Sequence, residues 1–125
     1  MNANQLTDEF NNTSINLLDL IYSFNNDDSI IFYKTTINNL IKINNKKIIE
    51  LFIIHCLEYK DKFENKDKNY FINMDLKKQI TNKSLLEIIN IKKLISNLDD
   101  IKINIIFEHF ELLSYFSEEY LKTKL

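Results

Sequence analysis

Apolar residues recur at helical spacing along almost the whole chain. Leu6, Phe10, Leu17, Leu18 and Ile21 fall near one helical face and predict a first helix over about residues 4–24. Asn25-Asn26-Asp27-Asp28 interrupts the pattern. Asn tolerates left-handed backbone and can close a helix where Gly usually does. Asp28 or Ser29 can then cap a second helix with Ile30, Tyr33, Ile37, Leu40 and Ile41 inward, closed by Asn44-Asn45. Residues 46–64 are apolar nearly all round, from Ile48 and Ile49 to Tyr59 and Phe63. Such a helix is usually surrounded by others, so a central third helix is expected here.

Lys60 to Asn69 is dense in charge and reads as a helix end and an exposed loop. Tyr70-Phe71-Ile72 re-enters the core as a single turn. Thr81 or Asn82 can cap a short helix carrying Leu85, Leu86, Ile88 and Ile89; Leu94, Ile95 and Leu98 follow after a bend near Asn90. Asp99-Asp100 caps a last helix over about 100–122, where acids suit the positive helix N-terminus. Its inward stripe is Ile106, Phe110, Leu113, Phe116 and Tyr120, and Glu108, Glu111, Glu118 and Lys122 form much of its wet face. Ile101 to Ile105 alternate with period two, as a strand would. Helix is the better reading, because the segment runs into a strong helical pattern and has no partner strand.

Composition sharpens this picture by exclusion. The 125 residues include no Gly, no Pro and no Trp. Average usage would supply roughly fifteen Gly and Pro in such a chain. Without Gly, the phosphate-cradling loop, the dinucleotide fingerprint and the calcium loop are missing in their standard forms. All 16 basic residues are Lys, so there is no arginine finger and no guanidinium clamp. Val is also absent and Ala3 stands alone, while Ile, Asn, Lys, Phe and Tyr abound. That pattern marks an AT-rich genome.

An apolar share of 45% with 27% charged residues suits a soluble globule of one domain, residues 1–125. Cys56 is the only cysteine, so no intrachain disulfide can form. Met1 to Phe10 is polar and acidic, unlike a secretory signal, and Ile48 to Leu57 is far short of the roughly 20 apolar residues that span a bilayer. Asn11, Asn12 and Asn82 begin glycosylation triplets, which carry little weight in so Asn-rich a chain. An intracellular protein without membrane association is expected.

Candidate chemistry is sparse. Cys56, His55 and His109 are the metal-ligand types that zinc would prefer, but His55 and Cys56 diverge by about 100° on a helix and cannot easily chelate one ion. A Cys56–His109 nucleophile pair falls on apolar faces, where a buried thiol and imidazole are inert. Glu50, Glu58 and Asp61 could place two acids at a helix end, with no reason to prefer hydrolysis over solvation. No cofactor, metal or catalytic residue is therefore expected.

The charge is uneven. Residues 1–33 carry five acids and no Lys, residues 34–98 thirteen Lys and seven acids, and residues 99–125 six acids and three Lys. Either the acidic ends pack beside the basic middle, or the middle offers an anionic partner a surface. Lys46, Lys47, Lys77, Lys78, Lys92 and Lys93 are the candidate residues for such a surface, if they converge. Tyr70-Phe71 beside the lysines of 60–68 would suit base stacking, although the aromatics read better as core anchors.

The stretch Asn44 to Lys62, continuing through Lys66-Asp67-Lys68-Asn69-Tyr70-Phe71-Ile72, resembles small uncharacterised all-helical proteins of giant nucleocytoplasmic DNA viruses. The resemblance extends over residues 30–122 and includes the aromatic last helix, with Phe107, Phe110, Tyr115, Phe116 and Tyr120. It implies a viral, all-helical protein and brings no activity to carry over. At fold level the pattern is also similar to viral apoptosis-regulator bundles, whose cellular relatives have a Gly- and Trp-containing signature missing here.

The expectation is thus all-α: a single compact bundle of five to seven helices with a central third helix. Its expected role is that of a non-enzymatic intracellular interaction module of viral origin, in the host cytoplasm, binding a protein partner through a helix face or groove. The alternative is a nucleic-acid-associated protein using the Lys-rich middle segment, residues 34–98. The apolar excess on the first and last helices leaves a homodimer open.

Overall fold

Two long helices near the ends of the chain set the frame. The computed structural model describes residues 1–74 and 90–125, and the described residues are helical with no strand. Helix α1 runs Ala3–Asn25, α2 Asp28–Ile43, α3 Lys47–His55, α4 Lys60–Glu64, α5 Lys68–Asn73, α6 Ile91–Asn97 and α7 Asp100–Lys122. A single 3-10 turn, Leu57–Tyr59, joins α3 to α4. The expected cap at Thr81 or Asn82, with Leu85, Leu86, Ile88 and Ile89, lies outside the described residues.

Local chemistry explains where the long helices start and stop. Asn2 accepts from the Gln5 backbone N–H at 2.9 Å while the Gln5 side chain accepts from the Asn2 N–H at 2.9 Å. This reciprocal pair is a capping box built without Ser or Thr. Asn26 closes α1 in the left-handed region at φ 51°, with its N–H donating to Tyr22. The Asn therefore supplies the conformation usually left to Gly. Asp27, one residue before the expected cap, starts α2 by accepting from Ser29 N–H. Asp99 starts α7 by accepting from Lys102 N–H, with Asp100 in the first turn and Lys122 in the last, each matching the helix dipole. The alternating Ile101 to Ile105 segment is helical, as the first turns of α7.

α1 and α7 pack along each other. They run antiparallel, since the Lys102 ammonium near the start of α7 sits 5.5 Å from the Phe24 ring near the end of α1. Thr7, Ser14, Ser114 and Ser117 are buried on these helices. Each hydroxyl donates to the carbonyl four residues earlier, at 2.8–3.0 Å. These four buried hydroxyls are thus satisfied within their own helix. In a chain with no Gly and one Ala, Ser and Thr provide the small side chains.

Aromatic rings continue the core from α1 to α5. Phe10 meets Phe52 edge-on at 5.3 Å, and Phe52 stacks on Phe110 at 6.5 Å. Phe63 stacks between Phe110 at 4.7 Å and Phe71 at 5.1 Å, and Phe71 lies 5.5 Å from Phe107. All six rings are buried. The segment 46–64, expected as one helix, is broken at Cys56, where φ is −125°. On an unbroken helix Phe52 and Phe63 would lie about 16 Å apart along the axis. Both rings touch the single ring of Phe110, which requires the chain to turn back between them.

Candidate interaction surface

The outward side of α2 departs from ordinary solvent chemistry. Its inward side buries Ile30 and Ile37, with Tyr33, Leu40 and Ile41 half-buried. The Lys34 ammonium binds Asp19 of α1 at 2.7 Å and helps fix the rotation of the helix. That rotation leaves Asp28, Ser29, Ile31, Phe32, Thr35, Thr36, Asn39, Lys42 and Ile43 exposed. Only Asp28 and Lys42 are charged, one in the first turn and one in the last. Phe32 is 67% exposed and Ile43 83% exposed. The Phe32 ring leans edge-on against Tyr33 at 5.7 Å.

The threonines between these apolar residues offer little polarity. Thr35 and Thr36 hydroxyls donate at 3.1 Å to the carbonyls of Ile31 and Phe32. Their donors are spent on the helix itself, as happens for back-bonded Thr. Phe32, Thr36, Asn39 and Ile43 lie four, three and four residues apart and so form one stripe along the helix. By contrast, exposed Leu112 and Tyr115 on α7 sit among Glu108, Glu111 and Glu119. Apolar surface bordered so closely by charge is ordinary; an uncharged stripe is not.

The basic candidates divide differently. Lys46 is half-buried at the N-cap of α3 and Lys47 is exposed. They follow Asn45, whose carbonyl accepts from the Asn11 side chain of α1 at 2.9 Å. Lys92 is half-buried and Lys93 exposed on α6. The Lys93 charge is felt at Asp27, past the far end of α1. At helical rise, Asn11 and Asn25, the last residue of α1, are about 21 Å apart. The two described pairs therefore sit at different levels along α1, and Lys77 and Lys78 lie outside the described residues.

The lysines of 60–68 are turned inward to the protein's own acids. Lys60 binds Glu118 at 2.6 Å and Glu64 at 3.6 Å, and Lys66 binds Glu111 at 3.1 Å. Lys68 binds Asp100, and Lys62 binds Asp67 at 3.8 Å. The hydrogen bond to Glu118, with the charges of Glu118 and Glu64, holds the Lys60 ammonium above its ordinary pKa. Three of these pairs follow α7 from Glu118 back to Asp100, so the acidic C-terminal helix neutralises the basic segment. Phe71 beside it is a core anchor. Tyr70 is partly exposed, with the Lys62 ammonium 4.8 Å from its ring.

The catalytic candidates stand on different elements. Cys56 is buried at the break after α3. His109 is half-buried and its Nδ1 lies 2.8 Å from the Ile105 carbonyl. Glu50, Glu58 and Asp61 are all exposed, on α3, the 3-10 turn and α4 respectively. Among the described residues, no group of three or more His, Cys, Asp or Glu could hold a metal ion, and no helix is long and apolar enough to cross a membrane. No protein-family model, curated protein or solved structure matches the chain.

Proposed function

We propose that the chain is a non-enzymatic protein–protein interaction module that works inside the cell through the outward face of α2. The observation that carries this reading is the uncharged stripe Phe32–Thr36–Asn39–Ile43, with exposed apolar residues at both ends. A helix face of this kind is matched by an apolar stripe on a partner helix, which would desolvate Phe32 and Ile43 together. The arrangement of the lysines supports a protein over a nucleic acid. Those of 60–68 are engaged by acids, and the two described pairs stand on different helices at different levels along α1. The reading treats the chain as one bundle with α3 at its centre, supported by Phe52, which links Phe10 of α1 to Phe110 of α7. It also keeps a viral source, supported by the AT-rich composition.

The test is capture of tagged protein from its native or infected cell, with and without nuclease, using the natural chain and Phe32→Glu. The expected result is a protein retained after nuclease and absent from the variant. Capture that is unchanged in Phe32→Glu, or that disappears with nuclease, overturns the proposal.

A further inference from the structure

We infer that the occupant of the α2 face is a second copy of this chain, paired antiparallel about a two-fold axis that passes beside the outward face of α2, level with the midpoint between Ile37 and Asn38. The inference rests on the reading of that face as an interaction surface. Its first support is the order of the stripe. Phe32, Thr36, Asn39 and Ile43 are spaced four, three and four, so the spacing is the same in both directions. A two-fold axis at the midpoint sets Phe32 of each copy against Ile43 of the other, and Thr36 against Asn39. This is the self-complementarity an isologous interface requires. The Thr36 hydroxyl donates within its own helix. Its oxygen lone pairs remain to accept from the Asn39 amide of the second copy.

Charge gives the second support. The exposed face has an acid at one end, Asp28, and a base at the other, Lys42, with exposed Lys47 just beyond the helix. Antiparallel pairing brings each acidic end to a basic end. Parallel pairing would set acid against acid and base against base. The helix dipoles favour the same choice, since each N-terminus then lies near the partner's C-terminus. Next to a two-fold axis a charged residue would meet its own copy, and the central positions Thr35, Thr36 and Asn39 are all neutral. The face is one helix of 16 residues. A face of one helix makes a small interface, so the association is expected to depend on concentration.

Sedimentation velocity of the full chain, from low micromolar to millimolar concentration, tests the inference. The expected mass rises from 15.0 kDa toward twice that value. Phe32→Glu and Thr36→Lys are expected to remain monomeric with unchanged helical circular dichroism, and Ile43→Lys serves if either loses helicity. An Asp28→Lys chain and a Lys42→Glu/Lys47→Glu chain are each expected to stay monomeric alone and to associate when mixed. A natural chain that is monomeric throughout overturns the inference, as does a dimer indifferent to Phe32→Glu and Thr36→Lys. Charge variants that fail to associate when mixed overturn the antiparallel arrangement. A monomeric chain that still captures a different protein through Phe32 ends this inference and leaves the interaction reading standing.

Discussion

Replacing Phe63 by Ala should release the α4 segment from the core, and the structure sets the size of the effect. Phe63 is the one buried residue of this five-residue helix. Its ring stacks on Phe110 and Phe71 and tilts against Phe107 at 6.4 Å. Truncating a buried Phe to Ala costs about 3–5 kcal/mol, through lost transfer energy and the cavity left behind. That is a large part of the roughly 5–15 kcal/mol that holds an ordinary domain together.

The neighbouring ion pairs cannot replace this anchor. They stand in water, where screening and side-chain entropy cancel most of the attraction. Urea unfolding followed by circular dichroism separates the two contributions. With a slope of about 1–3 kcal/mol per molar, Phe63→Ala should lower the midpoint by about 2 M, while Lys66→Ala/Lys68→Ala should lower it by less than about 0.5 M. A larger shift in the lysine variant than in Phe63→Ala would refute the view that aromatic packing holds the segment.

Further predictions concern the close helix contact, the helix ends and one charge pair. Ser14→Leu or Ser114→Leu should destabilise the chain by about 1–3 kcal/mol through overpacking, and Ser→Ala at the same sites by much less, read by thermal unfolding. Asn26→Ala should cost about 1 kcal/mol because Ala is strained in left-handed backbone, while Asn26→Gly should be neutral or stabilising. The pKa of Lys60 is raised above its ordinary value of 10.5, chiefly by the hydrogen bond to Glu118. Its contribution to stability is therefore complete below that value and is lost as pH rises through the raised one. Nitrogen NMR of the Lys60 ammonium should show its titration moving to lower pH in Glu118→Gln. Asp27 is shifted the other way, below its ordinary 3.8, mainly by hydrogen bonding from Ser29. Its contribution is present above 3.8 and falls away as pH drops through the lowered value, a step that Asp27→Asn should remove from an acid unfolding series.

Much of the architecture was legible in the spacing of Leu, Ile and Phe. The inward residues expected for the first helix, Leu6, Phe10, Leu17, Leu18 and Ile21, are all buried, as is the stripe Ile106, Phe110, Leu113, Phe116 and Tyr120 of the last. Asx residues marked the starts and ends, because their side chains cap N–H groups and Asn tolerates left-handed backbone. The break at Cys56 was hidden, since no Gly or Pro marks it and the residues on both sides are apolar. It follows from a tertiary demand, the shared contact of Phe52 and Phe63 with Phe110. Lys66 at φ 51° is another such case, left-handed with no sequence signal.

The candidate site was less legible. Lysine pairs drew attention because charge is conspicuous in a sequence, yet the pairing of Lys60, Lys66 and Lys68 with α7 depends on how distant segments dock. The stripe on α2 could have been found by plotting the outer side of that helix. Phe32 stands next to Tyr33 and Ile43 two positions past Ile41 of the inward set, and Thr35, Thr36 and Asn39 between them are uncharged.

Photo-crosslinking from position 32 tests the central claim most directly. A photoreactive phenylalanine analogue is placed at Phe32, and in a second chain at Asn16, which is exposed on α1. The account predicts a discrete protein adduct from position 32, a second copy of the chain or another protein, and none from position 16. Equal labelling from both positions, or nucleic-acid adducts in place of protein, would contradict it.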